Sequence, residues 1–278
     1  MNWQEALLYG AIQGITEYLP ISSSAHLILL PKFLGTEDPG LSFDIFLHLG
    51  TLFATLIYFW QDWLEVLRGF PKLRLQSSVS GSGAGSVTGS GAGGVSWFLI
   101  ACATVPALVA GVALHSWVKD SLRENWIQAS ALAVAGVILV AVDRIRPRTR
   151  HLKELTLKDA MIFGVAQCFA LIPGVSRSGS TITAGRFLGF DRGAAARFSF
   201  LMSAPITLAA LIFDLRHWKD LMDSTVGVPA LLVGGVSSFL FGMLAIGGLL
   251  RLLKKFGYMT FAVYRVGLAV VILVYLGF

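Results

Sequence analysis

Apolar segments of about 17 to 23 residues recur along this chain, which is the length a helix needs to cross a bilayer core about 30 Å thick. The composition agrees with this pattern, because 55% of the 278 residues are hydrophobic and only 14% are charged. Soluble domains have roughly 25% charged residues. The sequence therefore predicts an integral membrane protein whose membrane-embedded part is built from helices.

Six of the apolar segments are predicted to be transmembrane helices. They cover residues 43–60, 95–117, 126–142, 198–215, 226–250 and 258–276. Residues 76–94 consist almost entirely of Gly, Ser and Ala, a composition typical of a flexible linker without a catalytic role. The N-terminal segment has no basic stretch and contains Glu5, so we expect no cleaved signal peptide.

Two further apolar regions, residues 3–35 and 160–190, are each interrupted near the middle by proline and small polar residues. Neither half of either region is long enough to span a bilayer. Each region is therefore predicted to be a re-entrant helical hairpin with a polar tip inside the membrane, where irregular backbone must be covered by protein or water. The predicted fold class is an all-α polytopic membrane protein with six transmembrane helices and two such hairpins.

Basic residues predict the orientation of the chain. The loop over residues 143–159 contains six Lys or Arg against three Asp or Glu, and basic residues also follow the first and fifth spans at 68–74 and 251–255. Short basic loops stay in the cytoplasm. The first hairpin is then expected to enter from outside and the second from the cytoplasm. We attribute the net charge of +6 to this loop bias and expect no nucleic-acid partner.

The two halves of the chain resemble each other. A shift of 154 positions places Gln13 on Gln167, Ser22 on Ser176 and the Phe-Leu-Gly run at 33–35 on the one at 187–189. Each half has one hairpin and three spans, and an odd number of spans inverts the second copy. Residues 1–143 and 158–278 are therefore predicted to form an inverted repeat within one membrane domain, with a polar site where the broken helices meet.

The first tip, QGITEYLPISSSAH at residues 13–26, places ionisable and hydroxyl groups in an apolar region, which makes them functional candidates. Glu17 could hold Mg²⁺ or Ca²⁺ or act as a base; the alternative is that it satisfies backbone groups of the hairpin. Ser22, Ser23 and Ser24 could bind phosphate at a helix start or merely cap that helix. His26 is assigned an acid–base or nucleophilic role.

The second tip, PGVSRSGS at residues 173–180, supplies a cation, Arg177. Its guanidinium group can hold two phosphate oxygens, or it could merely pair with Glu17. Gly174 allows a sharp turn close to a ligand, and Ser176 and Ser178 add hydrogen-bond donors. We expect the two tips to form one site.

Other polar residues in or beside the spans are weaker candidates. His48 in the first span is expected at most to contact residues of the site without touching the substrate. Asp44 and Arg265 are interpreted as members of structural ion pairs. The two cysteines, Cys102 and Cys168, are interpreted as packing residues.

The two tips resemble the signature regions of the undecaprenyl-pyrophosphate phosphatase family, also called the bacitracin-resistance family. The first signature is an acidic residue or Gln, three residues, Glu, and then a Pro-x-Ser-Ser-x-x-His run. The second is Pro-Gly-x-Ser-Arg-Ser-Gly. The matching positions here are Gln13, Glu17, Pro20, Ser22, Ser23 and His26, followed by Pro173, Gly174, Ser176, Arg177, Ser178 and Gly179. The resemblance covers essentially the whole chain except residues 76–94.

This resemblance implies a multi-pass enzyme of the bacterial plasma membrane that hydrolyses undecaprenyl diphosphate to undecaprenyl phosphate and phosphate. Its site would open toward the periplasm or exterior, and its activity would recycle the lipid carrier for peptidoglycan synthesis and confer bacitracin resistance. A divalent cation, Mg²⁺ or Ca²⁺, is implied as cofactor with Glu17 as a ligand. The family pattern allows an acidic residue or Gln at position 13, and because this chain has Gln13, one fewer carboxylate is available to the cation. The expected partners are the polyprenyl diphosphate and membrane lipid, with a homodimer as one option.

The resemblance also implies roles for individual residues. Glu17, Ser23, His26 and Arg177 are expected to be catalytic, and Gln13, Ser22, Ser24, Gly174, Ser176 and Ser178 to bind substrate. Whether Ser23 or His26 is the nucleophile stays open at this point.

Two other functions compete with hydrolysis. Inverted repeats with broken helices are shared with secondary transporters, so the scaffold could flip a lipid phosphate across the membrane. A lipid phosphatase of the acid-phosphatase type is the third option, but the basic first motif and the late His-Asp motif of that type are not found in the sequence.

Overall fold

The computed structural model describes residues 1–68, 95–114, 124–214 and 226–277. These residues form eleven α-helices and two 3₁₀ turns, at Leu152–Glu154 and Phe169–Leu171. The α-helices are α1 Trp3–Tyr18, α2 Ser23–Leu34, α3 Leu41–Tyr58, α4 Trp60–Arg68, α5 Trp97–Ala113, α6 Asn125–Ile145, α7 Leu157–Cys168, α8 Arg177–Phe187, α9 Arg192–Asp214, α10 Val228–Lys255 and α11 Met259–Leu276. The predicted all-α class is confirmed for this part of the chain, while the predicted linker at 76–94 lies outside it.

Four helices, α6, α9, α10 and α11, are each long and apolar enough to cross a membrane alone. Residues 42–58 of α3 qualify together with α4, which follows after a bend of 72°. α5 is apolar but has only 17 residues. The described residues thus contain four membrane-spanning candidates, or five when the bent pair is counted as one span.

Helix ends differ from the predicted span limits. α9 begins at Arg192 and α10 continues to Lys255, because hydropathy marks only the apolar part of a helix and polar residues extend it beyond the lipid. α5 begins at Trp97, since the hydroxyl of Ser96 accepts a hydrogen bond from the backbone N–H of Leu99. Residues 62–68, which follow the first predicted span, are helical within α4.

The first broken region consists of α1 and α2. α1 starts at a capping box formed by Asn2 and Glu5, and it ends at Tyr18 because Pro20 has no N–H to continue the helix. α2 begins at Ser23, two residues before the start that the sequence predicts at Ala25, and it is capped by Gly35 in a left-handed conformation with φ +65°.

The second broken region consists of α7 and α8. α7 starts at a capping box formed by Thr156 and Asp159. α8 begins at Arg177, four residues before the apolar piece that starts at Thr181 in the sequence, so the candidate cation is the first residue of a helix. Among the described residues, Ser22 (φ 70°) and Ser176 (φ 71°) are the only non-glycine positions with positive φ. They lie 154 positions apart in the sequence, and each immediately precedes the second helix of its hairpin, α2 or α8.

The first helix of each hairpin, α1 or α7, packs closely against a helix from the other half of the chain. α1 contacts α10, where a Cβ atom on Gly14 would lie 2.5 Å from the carbonyl oxygen of Ser238. α7 contacts α5 in the same way, where a Cβ on Gly164 would lie 2.6 Å from the carbonyl oxygen of Ala103. Small residues allow such close approach of helix backbones in membranes. The two hairpins are therefore held by helices distant in sequence.

A cluster of charged side chains fixes the far end of α8. Arg186 is 0% exposed and donates to Asp143 at the end of α6 through Nε, 2.8 Å from Oδ1. Arg192, the first residue of α9, also donates to Asp143, with Nη2 2.5 Å from Oδ2. The helix that carries Arg177 is thus tied at its C-terminal end to both neighbouring helices.

Candidate active site between the two hairpin tips

The tips of the two hairpins lie in contact. Ser178 Oγ of the second tip donates to the carbonyl oxygen of Leu19 in the first tip, at 3.0 Å. Arg265 of α11 is fully buried and donates through Nη1 to Pro20 O (3.2 Å) and through Nη2 to Gly174 O (3.1 Å). One side chain from the last helix therefore holds the backbones of both tips.

A cavity of about 180 Å³ lies between the tips, and we call it the polar pocket. Most of its lining residues carry hydroxyl or ionisable groups, and they come from α1, α3 and the starts of α2 and α8. They are Glu17, Ser22, Ser23, Ser24, His48, Ala170, Ile172, Ser176 and Arg177. Seven of these nine side chains can exchange hydrogen bonds with a ligand, so the pocket suits a polar head group.

Glu17 is at the centre of the polar pocket and is only 9% exposed. Its Oε1 accepts from Arg177 Nη2 at 2.7 Å. Its Oε2 accepts from Ser23 Oγ at 2.8 Å and from Gln13 Nε2 at 3.1 Å, and it lies 3.4 Å from His48 Nε2. These four partners are side chains, so the structure does not support the alternative that Glu17 serves the backbone of its hairpin.

Ser23 donates its hydroxyl hydrogen to Glu17, which leaves the lone pairs of Ser23 Oγ available to a ligand in the pocket. A carboxylate within hydrogen-bond distance of a hydroxyl is the arrangement required of a general base that activates a nucleophile. The pair is therefore able to carry out nucleophilic attack by oxygen.

Arg177 pairs with Glu17 and also donates through Nη1 to the carbonyl oxygen of Ser199, at 3.2 Å. It lines the polar pocket, and its side chain is 14% exposed. A guanidinium group has five N–H donors, so these two contacts leave further donors for the oxygens of an anion. The expected ion pair and the expected anion clamp are thus compatible in one side chain.

Two helix N-termini face the same pocket, because α2 begins at Ser23 and α8 at Arg177. Ser22 makes no side-chain capping bond to α2, whereas Ser176 Oγ accepts from Gly179 N at 3.2 Å in α8. Free N–H groups and the helix dipole favour an anion at such a position. With Arg177, they outweigh the single negative charge of Glu17, so the pocket favours a phosphate group.

Apart from Gln13, which bonds Glu17, three of the predicted site residues lie beside the polar pocket and do not line it. His26 interacts through Nδ1 with Ser22 O (2.7 Å) and through Nε2 with the hydroxyl of Tyr264 on α11 (2.6 Å). Gly174, with φ +95°, lies against the carbonyl of Gln128, where a Cβ would overlap the oxygen. Ser178 is buried and bonds Leu19 O. All three positions support the tips in this arrangement.

Two residues are more central than their sequence positions indicate. His48, expected behind the site, lines the polar pocket itself, and its occurrence within an apolar span is the signal that points to it. Arg265 was interpreted as half of an ion pair, which is wrong: across the described residues it has no acidic partner within 4.0 Å and donates only to backbone carbonyls. For Asp44 too, no ion pair within that distance occurs in the described part of the chain.

A second cavity, of about 680 Å³, adjoins the polar pocket, and we call it the apolar groove. It lies between α3, α5, the end of α7 and α9, and shares Glu17, His48, Ala170 and Arg177 with the polar pocket. Most of its other lining side chains are aliphatic or small, including Leu108, Gly111, Val112, Ile206, Ala210 and Leu211. Its volume is in the range of ligand cavities, and its composition suits a hydrocarbon chain whose head group lies in the polar pocket.

The side chains of the pocket do not form a ready-made metal site. No group of three or more His, Cys, Asp or Glu with suitable spacing is found in the described ranges. Glu17 is the one carboxylate lining the polar pocket, and its oxygens already accept three side-chain hydrogen bonds. Mg²⁺ is commonly held by one or two carboxylates together with substrate phosphates, so a cation here would need ligands from a substrate.

Comparison with known sequences gives consistent matches over nearly the whole chain. The family described as "Bacitracin resistance protein BacA" matches residues 6–271. An undecaprenyl-diphosphatase of Gemmatimonas aurantiaca is 44% identical over 270 residues, which cover 97% of this chain and 96% of that protein. Proteins of the same name from Idiomarina loihiensis and Hahella chejuensis are 41% and 42% identical, with 98% and 99% of both chains covered.

Proposed function

This chain belongs to the bacitracin resistance protein BacA family, and from its relatives and its pocket we infer that it is an undecaprenyl-diphosphatase. It is a membrane hydrolase that converts undecaprenyl diphosphate to undecaprenyl phosphate and inorganic phosphate. This activity recycles the lipid carrier for cell-wall synthesis and confers bacitracin resistance. The observation that carries this function is the continuity of a polar pocket, whose lining suits a phosphate group, with an apolar groove.

We propose that Ser23 is the nucleophile. Its Oγ attacks the terminal phosphorus while its proton passes to Glu17 Oε2, 2.8 Å away. The bond from that phosphorus to the bridging oxygen breaks, and undecaprenyl phosphate leaves with the bonding electrons. The proton held by Glu17 leaves with undecaprenyl phosphate. Water then attacks the phosphoserine and gives a proton to Glu17, which passes it to Ser23 Oγ as the bond to phosphorus breaks and inorganic phosphate is released. His26 is less suited to attack, because both of its ring nitrogens already have hydrogen-bonding partners, the carbonyl oxygen of Ser22 and the hydroxyl of Tyr264.

In this proposal, Arg177 and the first N–H groups of α2 and α8 hold the oxygens of the terminal phosphate. Their charge stabilises the transition state more than the ground state, because charge builds up on these oxygens during transfer. Ser22, Ser24 and Ser176 line the same space and add hydroxyl donors. Gln13 keeps Glu17 in position through its 3.1 Å hydrogen bond.

The proposed reaction includes a divalent cation that binds together with the substrate. It would be held mainly by diphosphate oxygens, with Glu17 as the single nearby carboxylate, and it would neutralise charge on the substrate. The scarcity of protein ligands in the pocket supports this reading, so we expect the cation to arrive with the substrate.

We further propose six membrane spans in an inverted repeat within the bacterial plasma membrane, with the polar pocket open toward the periplasm or exterior. Three pairs of features separated by 154 residues support the repeat: the positive φ of Ser22 and Ser176, the left-handed glycines Gly35 and Gly189, and the Oγ contacts of Ser22 with Ser24 and of Ser176 with Ser178. The basic loop at 143–159 supports the orientation.

The transporter alternative is not favoured. Lipid transport requires a phosphate clamp but no activated nucleophile, and the hydrogen bond from Ser23 to Glu17 would then have no function. The similar proteins are also named for hydrolysis.

The function is tested by phosphate release from undecaprenyl diphosphate with purified protein in detergent. We expect activity from the wild type and losses of at least about 100-fold for Ser23→Ala, Glu17→Gln and Arg177→Ala. Ser180→Ala is the matched control, since its hydroxyl bonds only the carbonyl of Arg177 within its own helix; it should keep near wild-type activity. His26→Ala should lose less than Ser23→Ala.

EDTA should reduce the wild-type rate, and Mg²⁺ or Ca²⁺ should restore it. A wild type that releases no phosphate with either cation present would contradict hydrolysis and favour transport. A fully active Ser23→Ala variant with an inactive His26→Ala variant would reverse the assignment of the nucleophile.

A further inference from the structure

His48 lies at the boundary between the two cavities. Four residues line both the polar pocket and the apolar groove: Glu17, His48, Ala170 and Arg177. If the terminal phosphate is held among the serines and the prenyl chain lies in the groove, then the phosphate that bears the chain must lie at this boundary. This step rests on the proposed function.

The orientation of the His48 ring is fixed by its own helix. Nδ1 lies 2.7 Å from the carbonyl oxygen of Asp44, and a carbonyl can only accept, so Nδ1 carries a hydrogen. Nε2 then faces the boundary, 3.4 Å from Glu17 Oε2. The charged groups around it are Glu17 on α1, Arg177 on α8 and Asp44 on α3 itself.

Both ring nitrogens of His48 thus face oxygen acceptors. A doubly protonated histidine donates from both ring nitrogens, and two facing acceptors favour this form. Arg177 already bonds the opposite oxygen of Glu17, and Glu17 accepts from Ser23 and Gln13 as well. Of the four side chains around Glu17, His48 makes the longest contact, through Nε2. This N–H group can therefore turn most easily from Glu17 to a second anion.

We propose that His48 is a further catalytic residue, which binds the chain-bearing phosphate of the substrate through Nε2. In the free enzyme the same N–H faces Glu17. When the bond between the terminal phosphorus and the bridging oxygen breaks, the electrons go to the leaving prenyl phosphate, and His48 stabilises the charge on it by hydrogen bonding. The proton of Ser23 still passes to Glu17.

The proposal distinguishes two phosphates, and inhibition by two compounds can separate them. Farnesyl monophosphate resembles the leaving group, whereas inorganic phosphate resembles the terminal group. Formation of undecaprenyl phosphate is followed by chromatography, so added phosphate does not disturb the assay. We expect His48→Ala to raise the inhibition constant of farnesyl monophosphate about tenfold and to change that of inorganic phosphate by less than about twofold.

His48→Gln should give a smaller rise for farnesyl monophosphate, because its amide keeps one donor without the charge. It also covers the case in which His48→Ala fails to fold, since Gln is similar in size. His151→Ala is the matched control: the same side chain lies on an exposed loop, paired with Asp191, and neither constant should change.

Equal increases for both inhibitors in His48→Ala would overturn the proposal, because they would mean that His48 acts only through Glu17. Unchanged constants for both would overturn it as well. A wild type that forms no undecaprenyl phosphate would contradict the proposed function itself, and is thus distinguishable from a failure of the His48 assignment alone.

Discussion

Arg265 is a fully buried cation whose hydrogen-bond partners in the described part of the chain are backbone carbonyls of α6 and of both hairpin tips. Burying a charge without an opposite charge is costly unless several dipoles solvate it. The carbonyls of Leu132, Pro20, Gly174 and Val175 do this here, at 2.7 to 3.2 Å. The side chain therefore fixes the distance between the two halves of the site.

Replacing Arg265 by Lys should destabilise the protein. A lysine ammonium cannot reach all four carbonyls, and each buried carbonyl left without a donor costs about 1–3 kcal/mol. We expect a loss of at least about 2 kcal/mol in the free energy of unfolding and a clear fall in phosphate release. Thermal unfolding in detergent measures the first effect. Arg144→Lys, at an exposed position, should change neither, and an unaffected Arg265→Lys variant would contradict the role of the four carbonyls.

Sequence reasoning selected those candidate residues of the polar pocket that stand out chemically against apolar surroundings. Glu17, Ser23 and Arg177 lie at breaks in apolar segments, where polar groups have few structural explanations. His48 was undervalued because it lies in an unbroken span, and hydropathy does not tell which face of such a helix meets the site. The contact between His26 and Tyr264 joins residues 238 positions apart, and no local pattern predicts it.

At the scale of helices, the contact between α1 and α10 depends on glycine. A Cβ on Gly14 would lie 2.5 Å from Ser238 O and 2.7 Å from Gly242 N, and both are backbone atoms that cannot move aside alone. Gly14→Ala should therefore cost about 1–3 kcal/mol and lower the unfolding temperature.

The control for this change is Gly248→Ala in α10. A Cβ there meets no atom within 4 Å, so the change should be neutral or should stabilise the helix by about 0.5–1 kcal/mol. Thermal unfolding of the two variants side by side is the measurement. A Gly14→Ala variant as stable as Gly248→Ala would show that the two helices are not in close contact in the membrane.

The apolar groove is expected to bind the prenyl chain of the substrate. Gly111 of α5 lines the groove, and a Cβ there would meet only a methyl group of Leu171, at 3.9 Å. Gly111→Trp should fill this space and lower kcat/KM for undecaprenyl diphosphate about tenfold, mainly through KM. Inhibition by inorganic phosphate should stay unchanged, because the polar pocket is not altered.

Gly267→Trp provides the comparison for the groove variant. Gly267 lies at an exposed position on α11, where a Cβ would meet no atom within 4 Å, and the same bulky change should leave kcat/KM near the wild-type value. A normal KM in Gly111→Trp would place the prenyl chain elsewhere.

The locations of the apolar helices were predictable from the sequence, whereas the residues at which they begin were less so. Hydropathy located an apolar helix at each predicted span, but α2 and α8 start two and four residues before the expected positions. The reason is the positive φ of Ser22 and Ser176, a conformation that serine rarely adopts and that sequence rules do not assign to it. The choice of helix partners was also not predictable, because in lipid nearly every helix face is apolar.

At the scale of the whole molecule, the proposed orientation can be tested by cysteine labelling. The background should lack the natural thiols, with Cys102→Ala and Cys168→Ser. Glu37→Cys, after the first hairpin, should react with a membrane-impermeant maleimide added to intact cells. Lys153→Cys, in the basic loop, should react only after the membrane is permeabilised.

Both positions are exposed in the structure, so accessibility to the reagent depends on the side of the membrane alone. Labelling of Lys153→Cys in intact cells, with protection of Glu37→Cys, would reverse the proposed orientation and place the polar pocket toward the cytoplasm.

The position of Arg265 has a consequence for how the protein is made. During synthesis both hairpin tips leave the ribosome long before α11, the C-terminal helix of the described chain. Until that helix is inserted, the carbonyls of Pro20 and Gly174 lack their shared donor, and the tips have no such tie. A nascent chain therefore gains this tie between its two tips only once α11 has been inserted.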